Sequence, residues 1–164
     1  MLGVRRASTT WIQRTMSTEE ETRSQLYHDI GEFIFGFSQL EFTIRSILAT
    51  ALNLSEQQFD VVTAPYDFRV LCEVTCQIVQ QKRTDIDGLH KRIRETFTAC
   101  IRLNDERVRV AHGTWTVSAG HHSARHVARQ KLTAANYFES STAVAALGAQ
   151  AQRLMGMIIT VCPN

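Results

Sequence analysis

The stretch that decides the fold is residues 26–47, LYHDIGEFIFGFSQLEFTIRSI. Its apolar side chains recur in alternating steps of four and three, the spacing of one face of an α-helix. The stripe consists of Leu26, Ile30, Phe33, Phe37, Leu40, Ile44 and Ile47. Ser17 and Glu20 form a capping-box pattern ahead of it, so we predict a helix from Ser17 to about Asn53. A stripe this long needs a long helical partner or a second subunit to cover it.

The rest of the chain predicts three more long helices and one small β element. A short helix over residues 55–63 ends at Pro65, and the three long helices have their own apolar periodicities. Their predicted starts are Asp67, then Asp85 or Asp87, then Phe138 or Ser140. Residues 115–117 alternate, residues 118–123 resemble a turn, and residues 125–132 can return, which predicts a β-hairpin. The predicted class is therefore mainly all-α: an up-down bundle of four main helices with a short β-hairpin before the last one.

The length of 164 residues suits a single domain, which we place at residues 17–164. Residues 1–16 hold Arg5, Arg6 and Arg14 and no acid, so we predict a disordered basic tail. Its composition is that of a transit peptide, or alternatively translation starts at Met16. With those three removed from the 18 basic side chains, the domain is nearly balanced against 16 acidic ones. Nucleic acid would therefore have to bind a local patch rather than an overall positive field.

All four cysteines (Cys72, Cys76, Cys100 and Cys162) lie within apolar helical patterns. Cys72 and Cys76 share a helix face that could in principle hold a metal, but no His lies at matching spacing. We therefore predict buried, reduced core thiols, a cytoplasmic protein and no metal at these cysteines. No run reaches the roughly 18 apolar residues of a membrane span, so we expect no membrane association.

One segment carries a chemical motif: residues 104–115, NDERVRVAHGTW. Arg107, His112 and Gly113 within it resemble the R-x4-H signature of the HEPN superfamily, usually Arg-Asn-x-x-Ala-His-Gly before an aromatic residue. The resemblance covers roughly residues 20–160, but only residues 104–115 are specific. It implies a toxin or antiviral-defence ribonuclease that cleaves RNA without metal or other cofactor, using the ribose 2′-hydroxyl and leaving a cyclic phosphate. It also implies a homodimer in which the paired motifs line a cleft.

The physical chemistry of the motif agrees with that reaction. Arg107 and His112 are five residues apart, about 140° around a helix, so they converge only if the last turn tightens or two copies meet. The helix dipole at a C-terminus favours protonated His112, which can act as general acid or base. Arg107 would stabilise the charge that develops on the phosphate. Gly113 is expected to end the helix in a left-handed conformation.

One position departs from the family pattern, and it leaves an alternative open. Val108 stands where active members typically carry Asn; Asn104, one turn earlier, is the candidate substitute, with Glu106 and Arg109 as further supporting residues. The alternative is a non-catalytic helical interaction module, or a degenerate regulatory partner, that binds a protein such as an antitoxin or regulator. In that case Arg107 would pair with an acid such as Glu41, and His112 would be a routine helix-end residue.

Two other groups of residues are weaker candidates. The predicted hairpin carries candidate RNA-contact residues, namely His121, His122, Arg125 and Arg129, although a solvated loop would have the same composition. The phenylalanines of the first helix predict a core plus a dimer seam, because Phe35 falls off the main stripe while Phe33 and Phe37 lie on it.

Overall fold

The computed structural model describes residues 5–84, 86–128, 133–140 and 142–162, and for residues 5–15, 17, 128 and 133 it describes the backbone only. The described chain is mostly helical with one small antiparallel sheet, so the predicted mainly-α class is confirmed. The helices are α1 (Arg5–Leu52), α2 (Glu56–Thr63), α3 (Phe68–Lys82), α4 (Leu89–His112) and α5 (Ala143–Val161). The strands are β1 (Thr114–Ser118), β2 (His121–Ala128) and β3 (Thr133–Tyr137).

Contacts divide the chain into two compact units. The first unit comprises Met1–Glu32 and Val108–Ala146, and therefore contains the sheet. The second comprises Phe33–Arg107 and Leu147–Asn164, and contains α2, α3 and most of α4 and α5. Helices α1, α4 and α5 each pass from one unit into the other.

Helix α1 follows the predicted apolar stripe but begins earlier than expected. Six of the seven stripe residues are buried, and Ile30 is half-buried. The helix starts at Arg5 rather than at Ser17, so residues 5–16, predicted to be a disordered tail, are helical in the structure. The reason is that extending an existing helix is far easier than nucleating one, and these residues contain no proline. A capping pattern inside a helix-compatible stretch therefore need not begin the helix.

Within the second unit, the direction of α3 differs from the up-down prediction. The ring centroids of Phe37 on α1 and Phe68 on α3 are 4.5 Å apart. Ten residues further along α1, Ile47 lines a cavity together with Val79 of α3, so α1 and α3 run in the same direction. The chain returns between them through α2, where the Arg45 Nη1 donates to the Thr63 carbonyl at 2.6 Å.

The directions of α4 and α5 follow from similar pairs of contacts in the second unit. The Gln80 Nε2 of α3 donates to the His90 carbonyl at 2.8 Å, while Arg69 lies near Asp105, so α3 and α4 are antiparallel. On α5, Ala151 lies beside Gly36 and Cys162 beside Ile47, so α5 is parallel to α1. Strict alternation of the main helices is therefore wrong for this unit.

The four cysteines are buried free thiols, as predicted. Burial is the main cause that raises every thiol pKa: that of Cys100 to about 12, that of Cys162 to about 11, and those of Cys72 and Cys76 above their ordinary value. Because the thiolate is the nucleophile, none of the four should be reactive in the folded protein.

We expect a colourimetric disulfide reagent at mildly alkaline pH to leave all four thiols unmodified in the native protein within minutes. In guanidinium, where burial is lost, all four should react. Since the thiol pKa values are raised, a somewhat higher pH should not convert any of the native thiols to the reactive thiolate. Rapid native labelling of one or more cysteines would contradict this assignment.

Helix α5 is long and apolar. By length and composition it could cross a membrane, with a mean hydropathy of 1.3, whereas no such stretch was predicted. One face of α5 is buried within the second unit, and its members are Leu147, Ala151, Leu154, Ile158 and Val161. Met157 and Ile159 on the other face are exposed. A helix that covers a protein core meets the same length and hydropathy criterion.

The β element is a three-stranded antiparallel sheet of order β1-β2-β3 rather than the two-stranded hairpin that was predicted. β3 escaped prediction because residues 133–137, TAANY, have two alanines and little β-propensity. The β1–β2 turn is short, at Ala119 and Gly120, and Gly120 adopts a positive φ of 72°. Its N–H donates to the Thr22 Oγ1 at 3.0 Å, which ties the turn to α1 within the first unit.

Candidate functional site

The Arg107 guanidinium lies over an aromatic ring rather than beside a carboxylate. Its central carbon is 5.3 Å from the ring centroid of Phe37, which is buried. Glu41, the predicted alternative partner, pairs instead with Arg45 at 2.6 Å. No hydrogen bond or ion pair joins Arg107 to a residue within the described part of the chain. The ring orients the guanidinium by a cation–π contact and leaves its N–H donors available.

His112 is the last residue of α4, and its side chain is exposed. The boundary between the two units falls after Arg107, so the two motif residues belong to different units. His112 makes no hydrogen bond to any residue that the structure describes. An exposed imidazole at a helix C-terminus can reach a ligand in solvent.

Gly113 is required for close approach, and not for the left-handed turn that the sequence predicted. Its φ is not positive, unlike those of Gly88 and Gly120. A Cβ at position 113 would lie 2.6 Å from the Arg109 carbonyl oxygen and 3.1 Å from the Cβ of Ala124. The Gly113 N–H continues the helical pattern, donating to the Arg109 carbonyl at 2.9 Å. The helix therefore runs directly into β1, with β2 packed against the junction.

Trp115 fixes this junction from the strand side. Its Nε1–H donates to the Val110 carbonyl at 3.1 Å, which satisfies one of the carbonyls left unpaired at a helix C-terminus. Its ring stacks on Phe138, with centroids 5.7 Å apart and an interplanar angle of 18°. Phe138 was expected at the start of the last helix and was missed as a contributor; its φ of 60° is a conformation that the sequence does not signal.

The three supporting candidates have different surroundings. The Arg109 guanidinium lies 4.7 Å from the ring centroid of Tyr137 on β3. Glu106 is half-buried. The Oδ1 of Asn104 is buried and accepts no hydrogen bond from the described residues. Asn104 therefore does not turn its carbonyl oxygen outwards as a substitute for the family's Asn.

The candidate RNA-contact residues separate by strand face. His121 and Arg125 are exposed, whereas His122 is 3% exposed and cannot contact RNA without a rearrangement. The prediction for His122 is wrong because the turn is shorter than expected, which places His122 inside β2 with its side chain inward. Arg129 lies outside the described residues. Among the described residues, no group of three or more potential ligands could hold a metal ion.

His122 is a buried histidine whose two ring nitrogens have no hydrogen-bond partner within the described chain. The ring centroids of His122 and Trp115 are 5.9 Å apart. Burial lowers the pKa of His122; the neighbouring His121 lowers it further, and the nearby Asp29 opposes the shift. Asp29 is itself buried and accepts a hydrogen bond from the Gln25 Nε2 at 2.8 Å.

This environment predicts that the protein loses stability as the pH falls below about 6.5, the ordinary pKa of histidine. Below that pH, His122 binds a proton more readily in the unfolded chain than in the folded protein, because its pKa is lower in the folded state. Protonation therefore favours unfolding. Urea unfolding at pH 7.5 and pH 5.5 measures the free energy of unfolding at each pH. The decrease between the two should be smaller in His122→Phe than in the wild type, and the phenyl ring keeps the aromatic contact with Trp115. His126→Phe, on the same strand, is the matched control. An equal loss in wild type and His122→Phe would refute the assignment.

Comparisons of the chain with protein-family models, with curated proteins and with solved structures gave no match.

Proposed function

We propose that this chain is a metal-independent endoribonuclease of the HEPN type that acts as a homodimer. The observation that carries the proposal is that Arg107 has no carboxylate partner among the residues that the structure describes and lies on the helix that ends at exposed His112. An arginine that only stabilised the fold would be expected to pair with an acid such as Glu41, which is bound to Arg45 instead.

The reaction would be attack of the ribose 2′-hydroxyl on the adjacent phosphorus, with cleavage of the bond from phosphorus to the 5′-oxygen. The products are a 2′,3′-cyclic phosphate and a 5′-hydroxyl. One imidazole removes the proton of the 2′-hydroxyl, and another group protonates the leaving oxygen. His112 would perform one role and the partner subunit's His112 the other, which explains why a dimer is needed. Arg107 would hold the phosphate oxygens as their negative charge increases.

Exposed aromatic side chains on α1 support the dimer. Phe35 is 65% exposed and Phe42 is 57% exposed, and seven residues separate them, so they share a helix face. Large exposed apolar side chains on one face are typical of an interface between subunits. We further propose that α1, α3, α4 and α5 form a four-helix bundle of the family's kind, although with the helix directions described above.

The cellular role follows from the family resemblance and from the thiols. We propose a cytoplasmic toxin or antiviral-defence protein, controlled by a protein partner such as an antitoxin or regulator. Four buried free cysteines agree with a reducing compartment. RNA is the proposed substrate, and neither a cofactor nor a membrane takes part.

A non-catalytic interaction module is the second candidate, and Asn104 favours it. The family's Asn is replaced by Val108, and the buried Oδ1 of Asn104 does not substitute for it. In this case the dimer would form and bind a protein partner without cleaving RNA.

A pair of matched oligonucleotides distinguishes the two candidates. The purified dimer, with its oligomeric state measured by sedimentation, is incubated with an RNA and with the same sequence carrying 2′-O-methyl groups. A ribonuclease that uses the 2′-hydroxyl cleaves only the unmodified RNA, since methylation removes the nucleophile. Neither substrate is cleaved by an interaction module. Cleavage of both would contradict the proposed chemistry.

A further inference from the structure

The outward face of the sheet is polar and begins beside His112. In the antiparallel register, Thr114 of β1 pairs with Arg125 of β2, and Arg125 pairs with Asn136 of β3. Residues paired directly across antiparallel strands point to the same face. All three are exposed, while Trp115, Ala124 and Tyr137 in the next row are buried or half-buried. Thr114, Arg125 and Asn136 therefore form one exposed row across the three strands, which we call the outer row.

The outer row lies close to the end of α4 within the first unit. Thr114 is two residues after His112, so their Cα atoms are at most about 7 Å apart. Arg125 opposes Thr114 at the spacing of a β-ladder, roughly 5 Å between Cα atoms. Since His112 and Arg125 are both exposed, a ligand that contacts the imidazole can extend over the outer row.

The charge of this face favours an anion. The Arg125 guanidinium makes no hydrogen bond or ion pair with any residue that the structure describes. The outward-facing residues of the described strands include no acid; besides the outer row they are Thr116, Ser118, His121, Ser123, Val127 and Ala134. A free guanidinium between a hydroxyl and an amide can bind phosphate oxygens through several N–H and O–H donors.

Hydrogen bonds to α1 and α4 hold the sheet that carries the outer row in place. The β1–β2 turn is held to α1 by the hydrogen bond from the Gly120 N–H to the Thr22 Oγ1. Trp115, next to Thr114, is held by its bond to the Val110 carbonyl of α4. Donors positioned by a rigid sheet lose little freedom on binding.

We propose that the outer row of Thr114, Arg125 and Asn136 binds a phosphodiester of single-stranded RNA next to the one cleaved at His112. Arg125 supplies the charge, and Thr114 and Asn136 supply neutral donors to the same phosphate. The inference rests on the proposed ribonuclease function and adds a substrate subsite to it. It names residues outside the R-x4-H motif.

The test measures binding rather than cleavage, so it does not depend on whether the protein cuts RNA. Affinity for a fluorescent 2′-O-methyl oligonucleotide is measured by anisotropy at several salt concentrations for wild type, Arg125→Gln and Arg125→Lys. Arg153→Gln, an exposed arginine on α5, is the matched control. Each phosphate contact by a cation contributes about 0.7 to the slope of log affinity against log salt for a single strand.

We expect Arg125→Gln to weaken binding several-fold and to reduce the salt slope by about 0.7, while Arg125→Lys keeps the slope. Arg153→Gln should match the wild type. Asn136→Ala should weaken binding without changing the slope, because it removes a neutral donor. Equal slopes for wild type and Arg125→Gln, or no binding by the wild type, would overturn the proposal. If the wild type fails in the cleavage assay while Arg125→Gln shows this slope change, the proposed ribonuclease function is refuted and RNA binding at the outer row is retained.

Discussion

His112→Ala is expected to slow RNA cleavage by about 10²–10⁴-fold, the usual contribution of a general acid or base. The loss should appear in kcat more than in KM, because the imidazole would transfer a proton in the transition state and contribute little to substrate binding. The melting temperature should not change, since the side chain is exposed and makes no hydrogen bond to a described residue. Initial rates on a fluorescent RNA together with thermal unfolding measure both effects.

The matched control for this variant is His28→Ala. His28 is also an exposed histidine on a helix, but it lies on α1 and outside the motif. It should keep the wild-type rate. A His112→Ala protein that cleaves RNA as fast as His28→Ala would exclude His112 as the group that transfers the proton.

Gly113→Ala is expected to destabilise the protein by about 1–3 kcal/mol, the range for forcing extra volume into a packed position. The added methyl would meet a backbone oxygen at 2.6 Å and the Cβ of Ala124 at 3.1 Å. Backbone atoms cannot move aside as the end of a flexible side chain can. The helix end and β1 must therefore separate, which also displaces His112. Urea unfolding measures the first effect and the cleavage rate the second.

Gly31→Ala provides the control for glycine replacement as such. Gly31 lies within α1, and nothing approaches within 4 Å of the position that its Cβ would occupy. Alanine there should stabilise the protein by roughly 0.5–1 kcal/mol, because glycine is the poorer helix former. If Gly113→Ala were as stable as Gly31→Ala, the close junction described above would be wrong.

Periodicity predicted the helices well because burial follows the spacing of apolar residues. Six of the seven predicted stripe residues of α1 are buried and Ile30 is half-buried; Asp29, Leu48 and Ala49 are buried beside them. The start of α1 was not predictable from Ser17, since a capping side chain competes with continued helix propagation. The common direction of α1 and α3 was not predictable either, because periodicity identifies which face of a helix is buried and not how the chain returns between helices.

The candidate site was predicted in part. Spacing and flanking residues identified Arg107 and His112 on one helix, and α4 ends at His112 as the position of Gly113 indicated. The contact between Arg107 and the ring of Phe37 could not be predicted, because Phe37 is distant in sequence and its place on the apolar stripe predicted only a core role. His122 was misassigned for a local reason: two adjacent histidines face opposite sides of a strand, and a shift of the turn decides which one is buried.

The most direct test of the central claim is incubation of the wild-type protein, with its oligomeric state measured, with mixed cellular RNA in EDTA, followed by mapping of the product ends. We expect cleavage that leaves 2′,3′-cyclic phosphate and 5′-hydroxyl ends, because in the proposed reaction Arg107 and His112 would supply the catalytic groups and the substrate's own 2′-hydroxyl would be the nucleophile. Intact RNA in the presence of a confirmed dimer, or products with 5′-phosphate ends, would contradict it.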